Sequence, residues 1–195
     1  MAWMRALLTV GHGTASQEEF TRLLAAADVT SLVDVRIGPG SRKYPHFGKD
    51  LMAQWLPDAG ISYRWEQRLG GFRKPGPDSP DVALRNDSFR AYAGWMRSDA
   101  FGAAATELLA GARKEQTAIM CSETVWWRCH RRLIADHCVL LAEQPVEHLM
   151  PPGRTTPHVP TLGVRILDGG LVYDALDGQV PSGPSRQYPA ARPNP

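Results

Sequence analysis

The order of apolar runs and helical patterns predicts an α/β fold: one three-layer domain over residues 1–150, with a mostly parallel sheet of about five strands and helices on both faces. Three observations carry this. Five short apolar runs alternate with amphipathic stretches, which is how strands joined by crossover helices look in a sequence. The 195 residues are 43% hydrophobic and 22% charged, enough for one well-buried core and ordinary for a globular protein. Beyond Met150 the composition shifts to proline, glycine and threonine, so residues 151–195 read as a C-terminal extension, partly disordered, with one hairpin.

Ala6 to Val10 is the first apolar run, and Gly11-His12-Gly13-Thr14 ends it. Ser16 followed by Glu19 is a capping-box pattern, which starts a helix reaching Ala27. Ser31 to Val35 is β-branched and apolar, hence a second strand. Leu51, Trp55 and Leu56 then sit at helical spacing until Gly60 stops the helix. Ile61 to Trp65 is the third strand, and the glycine- and proline-rich run from Leu69 to Pro77 can continue no regular element, so a long loop follows. Ser88 to Met96 places Phe89, Tyr92 and Met96 at i, i+3 and i+7, while Asp99 to Ala112 is rich in alanine and leucine, both good helix formers. Thr117 to Cys121 is the fourth strand. Arg128 to Leu141 carries Leu133, Ile134, His137, Cys138 and Leu141 at helical offsets, and Val146 to Leu149 is a fifth strand. In the extension, Val164 to Leu167 and Leu171 to Tyr173 flank Asp168-Gly169-Gly170, whose glycines suit a tight turn. Pro181 to Pro195 reads as a disordered tail.

The formal charge of +2 does not by itself announce a nucleic-acid binder, but 18 of the 22 basic residues are arginine, the side chain suited to bidentate contact with phosphate or carboxylate. Three cysteines, no secretory segment and no apolar run near the ~18 residues needed to span a bilayer point to a reducing cytoplasm, with no membrane partner and no disulfide framework. No pattern bears on oligomeric state.

Parallel strands bring their carboxyl ends to one edge, where ligands of open α/β sheets bind. That edge would collect Gly11, His12 and Thr14 after the first strand, Arg36, Ser41 and Arg42 after the second, Glu66, Arg68 and Arg73 after the third, and Cys121 with Glu123 after the fourth. From Arg36 to Arg73 seven Lys/Arg stand against three acids, so an anionic ligand is expected. Cys121 is the candidate nucleophile, since a thiol near a helix N-terminus and arginines has its thiolate favoured. Glu123 is a candidate acid or base, and His12 and His130 are candidate proton carriers. Trp126 and Trp127 could stack on a base or sugar, or pack on the core. A zinc reading on Cys121, Cys129, His130 and Cys138 lacks paired C-x-x-C spacing, so neither metal nor cofactor is expected. The order Cys121, loop, Arg128, helix is similar to the anion cradles of phosphatases and rhodanese-like sulfurtransferases, with a longer loop and tryptophans where small residues stand in those groups.

Six motifs occur in order: Gly11-His12; Val33-Asp34-Val35-Arg36 with Pro39 and Ser41-Arg42; Tyr63 followed by Leu69-Gly70-Gly71; Met120-Cys121-Ser122-Glu123; Cys129-His130-Arg131; and Val146-Glu147-His148. On these the span from Leu8 to Met150 resembles the uncharacterised family known as domain of unknown function 488. The resemblance implies an α/β fold and marks these side chains as the family's pocket; it supplies no activity.

The expectation is therefore an intracellular enzyme, a transferase or hydrolase, binding a nucleotide-like or phosphate-bearing anion. Catalysis falls to Cys121, Glu123, His12 and His130, and binding to Gly11, Thr14, Arg36, Ser41, Arg42, Tyr63, Gly70, Gly71, Arg73, Trp127, Arg128 and Arg131. The alternatives are a nucleic-acid-binding module without catalysis, and a metal or redox site on Cys121, Cys129 and His130.

Overall fold

Successive residues of the central strands face opposite layers, as the period of two in a strand requires. In β1 (Leu7–Gly11), Leu7 joins one apolar cluster while Leu8 and Val10 join the other. β2 (Ser31–Asp34) sends Leu32 one way and Val33 the other, and β4 (Thr117–Cys121) divides Ala118 and Met120 from Ile119 and Cys121. One layer is built from α1 (Gln17–Ala26) and α2 (Lys49–Asp58). The other is built from α3 (Asp87–Met96), α4 (Asp99–Ala112) and α5 (Arg131–Ala142). The computed structural model describes residues 5–40, 42–74, 76 and 78–175.

With β3 (Ser62–Trp65), β5 (Val146–Met150) and β6 (Arg154–Pro157), the main sheet has the order β3-β2-β4-β1-β5-β6. The first five strands are parallel, as expected for an α/β fold, and β6 runs antiparallel to β5. The sixth strand has no counterpart in the sequence reading, because all four of its residues are exposed and none is a strong apolar signal. The expected hairpin is present as β7 (Val164–Leu167) and β8 (Gly170–Tyr173). It packs Val164, Leu171 and Tyr173 into the α3–α5 cluster. Arg97 fastens it there, donating to Asp81 and to the Leu171 carbonyl at 2.9 Å. The segment read as an extension thus supplies one strand of the main sheet and part of the core.

Ser16 caps α1 as read: its hydroxyl accepts from Glu19 N while its own N–H donates to Glu19 at 2.7 Å. The last helix starts later than its pattern suggested. Residues Trp126–Arg128 form a separate 3₁₀ turn, and Cys129, extended at φ −121° and ψ 149°, breaks the chain before α5 begins at Arg131. That break gives the two thiols their geometry. Among the described residues no helix is long and apolar enough to cross a membrane. Ser41 and the tail from Pro181 to Pro195 lie outside the described residues.

Candidate active site

The ends of β1 and β4 are adjacent, with Gly11 paired to Cys121. The loop leaving β4 lies directly on the glycine turn leaving β1: His12 N donates to Cys121 O at 3.1 Å, and Gly13 N to Ser122 O at 2.9 Å. A Cβ on Gly11 would stand 2.0 Å from Glu123 O, and one on Gly13, whose φ is +53°, 2.1 Å from Thr124 Oγ1. The turn is therefore a seat for the second loop. The N–H groups of His12 and Gly13 already have acceptors and are not free to hold an anion. Thr14 is exposed beside it.

Seated this way, the loop folds back so that Cys121 Sγ, Cys129 Sγ and a ring nitrogen of His130 lie within 4.8 Å of one another. His130 Nε2 meets the Val35 carbonyl at 2.9 Å. A carbonyl only accepts, so Nε2 carries a ring proton, and Nδ1 faces Cys129 Sγ, 3.6 Å away. Gly71 leaves room for that ring, since a Cβ there would come within 3.0 Å of Nδ1. Tyr92 meets it edge-on at 5.0 Å and is held by donating to Leu69 O at 2.7 Å. Cys121 and His130 are partly exposed and Cys129 is buried.

Arg131 completes the arrangement. Its guanidinium is buried; Nε donates to Cys129 Sγ at 3.3 Å and Nη2 to the Glu123 carbonyl. Among the described residues no carboxylate pairs with it. A guanidinium cannot shed its proton, and a buried charge needs an opposite one, so Cys129 as thiolate is the partner this geometry calls for. The Cys121 thiol, donating to Cys129, holds the Cys129 pKa well below the ordinary thiol value, with His130 and Arg131 acting in the same direction. The same hydrogen bond, with burial, pushes Cys121 up.

Several expected site residues are engaged elsewhere. Arg36, read as an anion contact, is buried and locked on Asp34 through Nε at 2.8 Å and Nη2 at 2.6 Å, with Nη2 also donating to Phe47 O at 2.8 Å. Tyr63 donates to Asp34 Oδ2 at 2.8 Å, the oxygen that Arg36 Nη2 also reaches. His12 has both nitrogens occupied, Nδ1 with Gly13 O and Nε2 with Arg36 Nη1, and stacks on Phe47 at 4.1 Å. Burial, then Arg36, lowers its pKa to about 4, so it is neutral at physiological pH. Arg68 pairs with Glu66 and Glu107. Glu123 is exposed and its Oε1 accepts from Val125 N at 3.2 Å, a contact that holds its own loop. Gly70 is buried against Ile37. Arg42, Trp127 and Arg128 are exposed. Cys138, part of the four-residue zinc reading, is sealed in the apolar core and pushed up to about 12 by burial, then by Asp136. Arg73 differs from the paired arginines: it stacks over Trp95 at 3.9 Å and, among the described residues, donates to the carbonyls of Gly70 and Gln67 and to no carboxylate.

A second polar constellation escaped the sequence reading. Tyr173 donates to Asp136 at 2.9 Å, His158 Nε2 to the same carboxylate at 2.8 Å, His148 Nε2 to His158 Nδ1 at 2.9 Å, and Thr9 Oγ1 to His148 Nδ1 at 2.7 Å. Every member is buried, and the Trp126 indole lies flat on His148 at 3.7 Å. The available signal was His148 in alternation with apolar Val146 and Leu149 on a strand. Its partner, ten residues on, carried none.

Neither a curated protein nor a solved structure matches this chain. The model of the family described as "Domain of unknown function DUF488" matches residues 16–138, more than half of the chain, and takes in Cys121, Cys129 and His130 but not the glycine turn at Gly11–Gly13. This protein belongs to that family.

Proposed function

We propose that the protein is an enzyme, a transferase or hydrolase, whose reaction centre is the cluster of Cys121, Cys129 and His130 and whose substrate carries an anionic, phosphate-like or nucleotide-like group. The observation that carries this reading is the convergence of two sulfurs and one oriented imidazole nitrogen within 4.8 Å, at the edge where parallel sheets hold ligands. A nucleophile, a base beside it and a third group orienting the base is the general arrangement of activated nucleophiles. Here Val35 O orients His130. Cys121 is the sulfur an incoming group meets, and Cys129 and His130 stand where its proton would go. Arg73 supports the anionic substrate, because its guanidinium is partly exposed, faces no carboxylate and follows Gly71, which touches His130.

The test is turnover. A panel of nucleoside 5′-phosphates and ribonucleosides, followed by chromatography, should reveal a substrate; Cys121→Ser should then lower turnover by about 10²-fold or more while binding persists, and Arg73→Gln should weaken binding. Undiminished turnover by Cys121→Ser would remove the thiol from the reaction.

A second reading rests on Trp127, half exposed beside the exposed Arg128: a surface that stacks and neutralises single-stranded nucleic acid without chemistry. Such binding would weaken steeply as salt rises, whereas salt-independent or absent binding to a labelled oligonucleotide would reject it.

A further inference from the structure

We infer that Cys121, Cys129 and His130 hold a zinc-class divalent ion, with the fourth coordination position open toward solvent. The inference deepens the functional reading above and rests on it for the cluster being the reaction centre.

Three independent features of the site point to a metal. The first is the donor set. Two thiolate sulfurs and one imidazole nitrogen suit a borderline-soft ion such as Zn²⁺ and suit Mg²⁺ or Ca²⁺ poorly, since those prefer oxygen. Among the described residues no carboxylate joins the cluster.

The second is distance. With zinc–sulfur and zinc–nitrogen lengths of about 2.3 and about 2.0 Å, a tetrahedral ion separates a sulfur from a nitrogen by about 3.5 Å. Cys129 Sγ and His130 Nδ1 are 3.6 Å apart. That separation suits a sulfur hydrogen bond in the metal-free protein and equally matches the edge of a coordination tetrahedron.

The third is the supporting shell. Metal-bound histidines give their other ring N–H to a carbonyl or carboxylate, which fixes the tautomer and aims the ligating nitrogen. His130 does this through Val35 O at 2.9 Å, leaving Nδ1 as the donor aimed at the sulfurs. Arg131 Nε supplies an N–H to the Cys129 sulfur at 3.3 Å and fixes that sulfur in place. Loading an ion would displace the Cys121 proton to solvent, Cys129 already standing as the thiolate.

Three protein ligands are the number found in catalytic zinc sites, whose fourth position receives water or substrate; structural sites close with four. Cys138, the one further cysteine, is in the apolar core and cannot close this site. Two of the three ligands are partly exposed, so the fourth position lies on the solvent side. The cysteines are eight residues apart with no C-x-x-C pair, which is why zinc-motif spacing does not reveal them.

Reduced, metal-stripped full-length protein titrated with Co²⁺ should take up one equivalent per chain. It should develop a sulfur-to-cobalt charge-transfer band with the visible absorption of a four-coordinate ion, and one equivalent of Zn²⁺ should displace it. Cys129→Ser should lose the charge-transfer band, and Cys138→Ala should keep it. Should Cys129→Ser fail to fold, the wild type decides alone: one equivalent of Zn²⁺ should protect Cys121 from iodoacetamide, and undiminished alkylation overturns the inference. Absence of cobalt uptake after reduction, or uptake without a sulfur band, overturns it as well. The two readings fail separately. Wild-type turnover in metal-stripped protein would end the metal assignment and leave the reaction centre standing, whereas Cys121→Ser with undiminished turnover would end the reaction-centre reading.

Discussion

The thiol cluster and the buried chain from Thr9 to Tyr173 both use histidines oriented by an acceptor, yet they differ in what remains over once hydrogen bonds are assigned. In the buried chain each donor meets an acceptor in one consistent direction, from Tyr173 and His158 to Asp136, from His148 to His158 and from Thr9 to His148. Nothing there faces solvent. In the thiol cluster, Nδ1 of His130 and two sulfurs point at a common space, and two of the three residues are partly exposed. A saturated network holds elements together; an unsaturated, reachable one can accept a ligand. Residue type alone does not separate the two regions.

The contrast can be broken most sharply at Asp136. Replacing it by alanine strips acceptors from His158, Tyr173 and the Thr161 N–H in a fully buried setting. A loss of about 3–5 kcal/mol is expected in chemical denaturation, the range for removing one member of a buried charged network. A loss below about 1 kcal/mol would mean the chain carries little of the fold.

Acidification is the next test. Burial, then His158, lowers the His148 pKa from 6.5 to about 3, so folded His148 stays neutral while the unfolded chain gains a proton on falling through 6.5. The unfolded state then binds more protons, and stability is full above pH 6.5 and declines toward pH 3. The slope from this one group approaches about 1.4 kcal/mol per pH unit. Denaturation curves for wild type and His148→Gln should diverge in slope over that window; parallel curves would contradict the assignment.

Smaller changes sharpen the other side. Gly11→Ala pushes a methyl group into Glu123 O, and an overpacking cost of about 1–3 kcal/mol is expected, together with lower alkylation or metal uptake at Cys121 as the loop shifts. Cys121→Ser should cost under about 1 kcal/mol in stability, because the residue is partly exposed, while removing the thiol from the loop. A large stability loss there would move this cluster into the same class as the buried chain.

How much of this was readable in advance follows from particular residues. β1, β2, β4 and β5 were visible as apolar runs because they are largely buried, and the edge strand β3, with no buried residue, was visible through buried Ile61 before it and its aromatic side chains, whereas Arg154–Pro157, a fully exposed edge strand, offered no periodicity to read. The misplaced start of the last helix came from Trp126–Arg128, which wind in a tighter turn before extended Cys129. The commitment of Arg36 to Asp34 was legible in principle: residues two apart on an extended chain share a face, so an Asp-x-Arg run pairs with itself before it meets a ligand. Convergence of Cys121 with Cys129 and His130 was not, since it depends on a loop seated by glycines of another strand. Nor was the tie between His148 and His158, which requires β6 to turn back along β5.

Asp136 lies just inside the shared family region, which closes at residue 138, but the groups that satisfy it arrive from His158 and Tyr173, well beyond that limit. The helix that begins just after His130 is thus latched by residues that lie outside the matched span. A shorter member lacking counterparts of β6 and β8 would strand an anion in oil if it kept this aspartate. Such members must carry an apolar side chain at that position or borrow donors from another subunit, and comparing their sequences there would show which remedy each adopted.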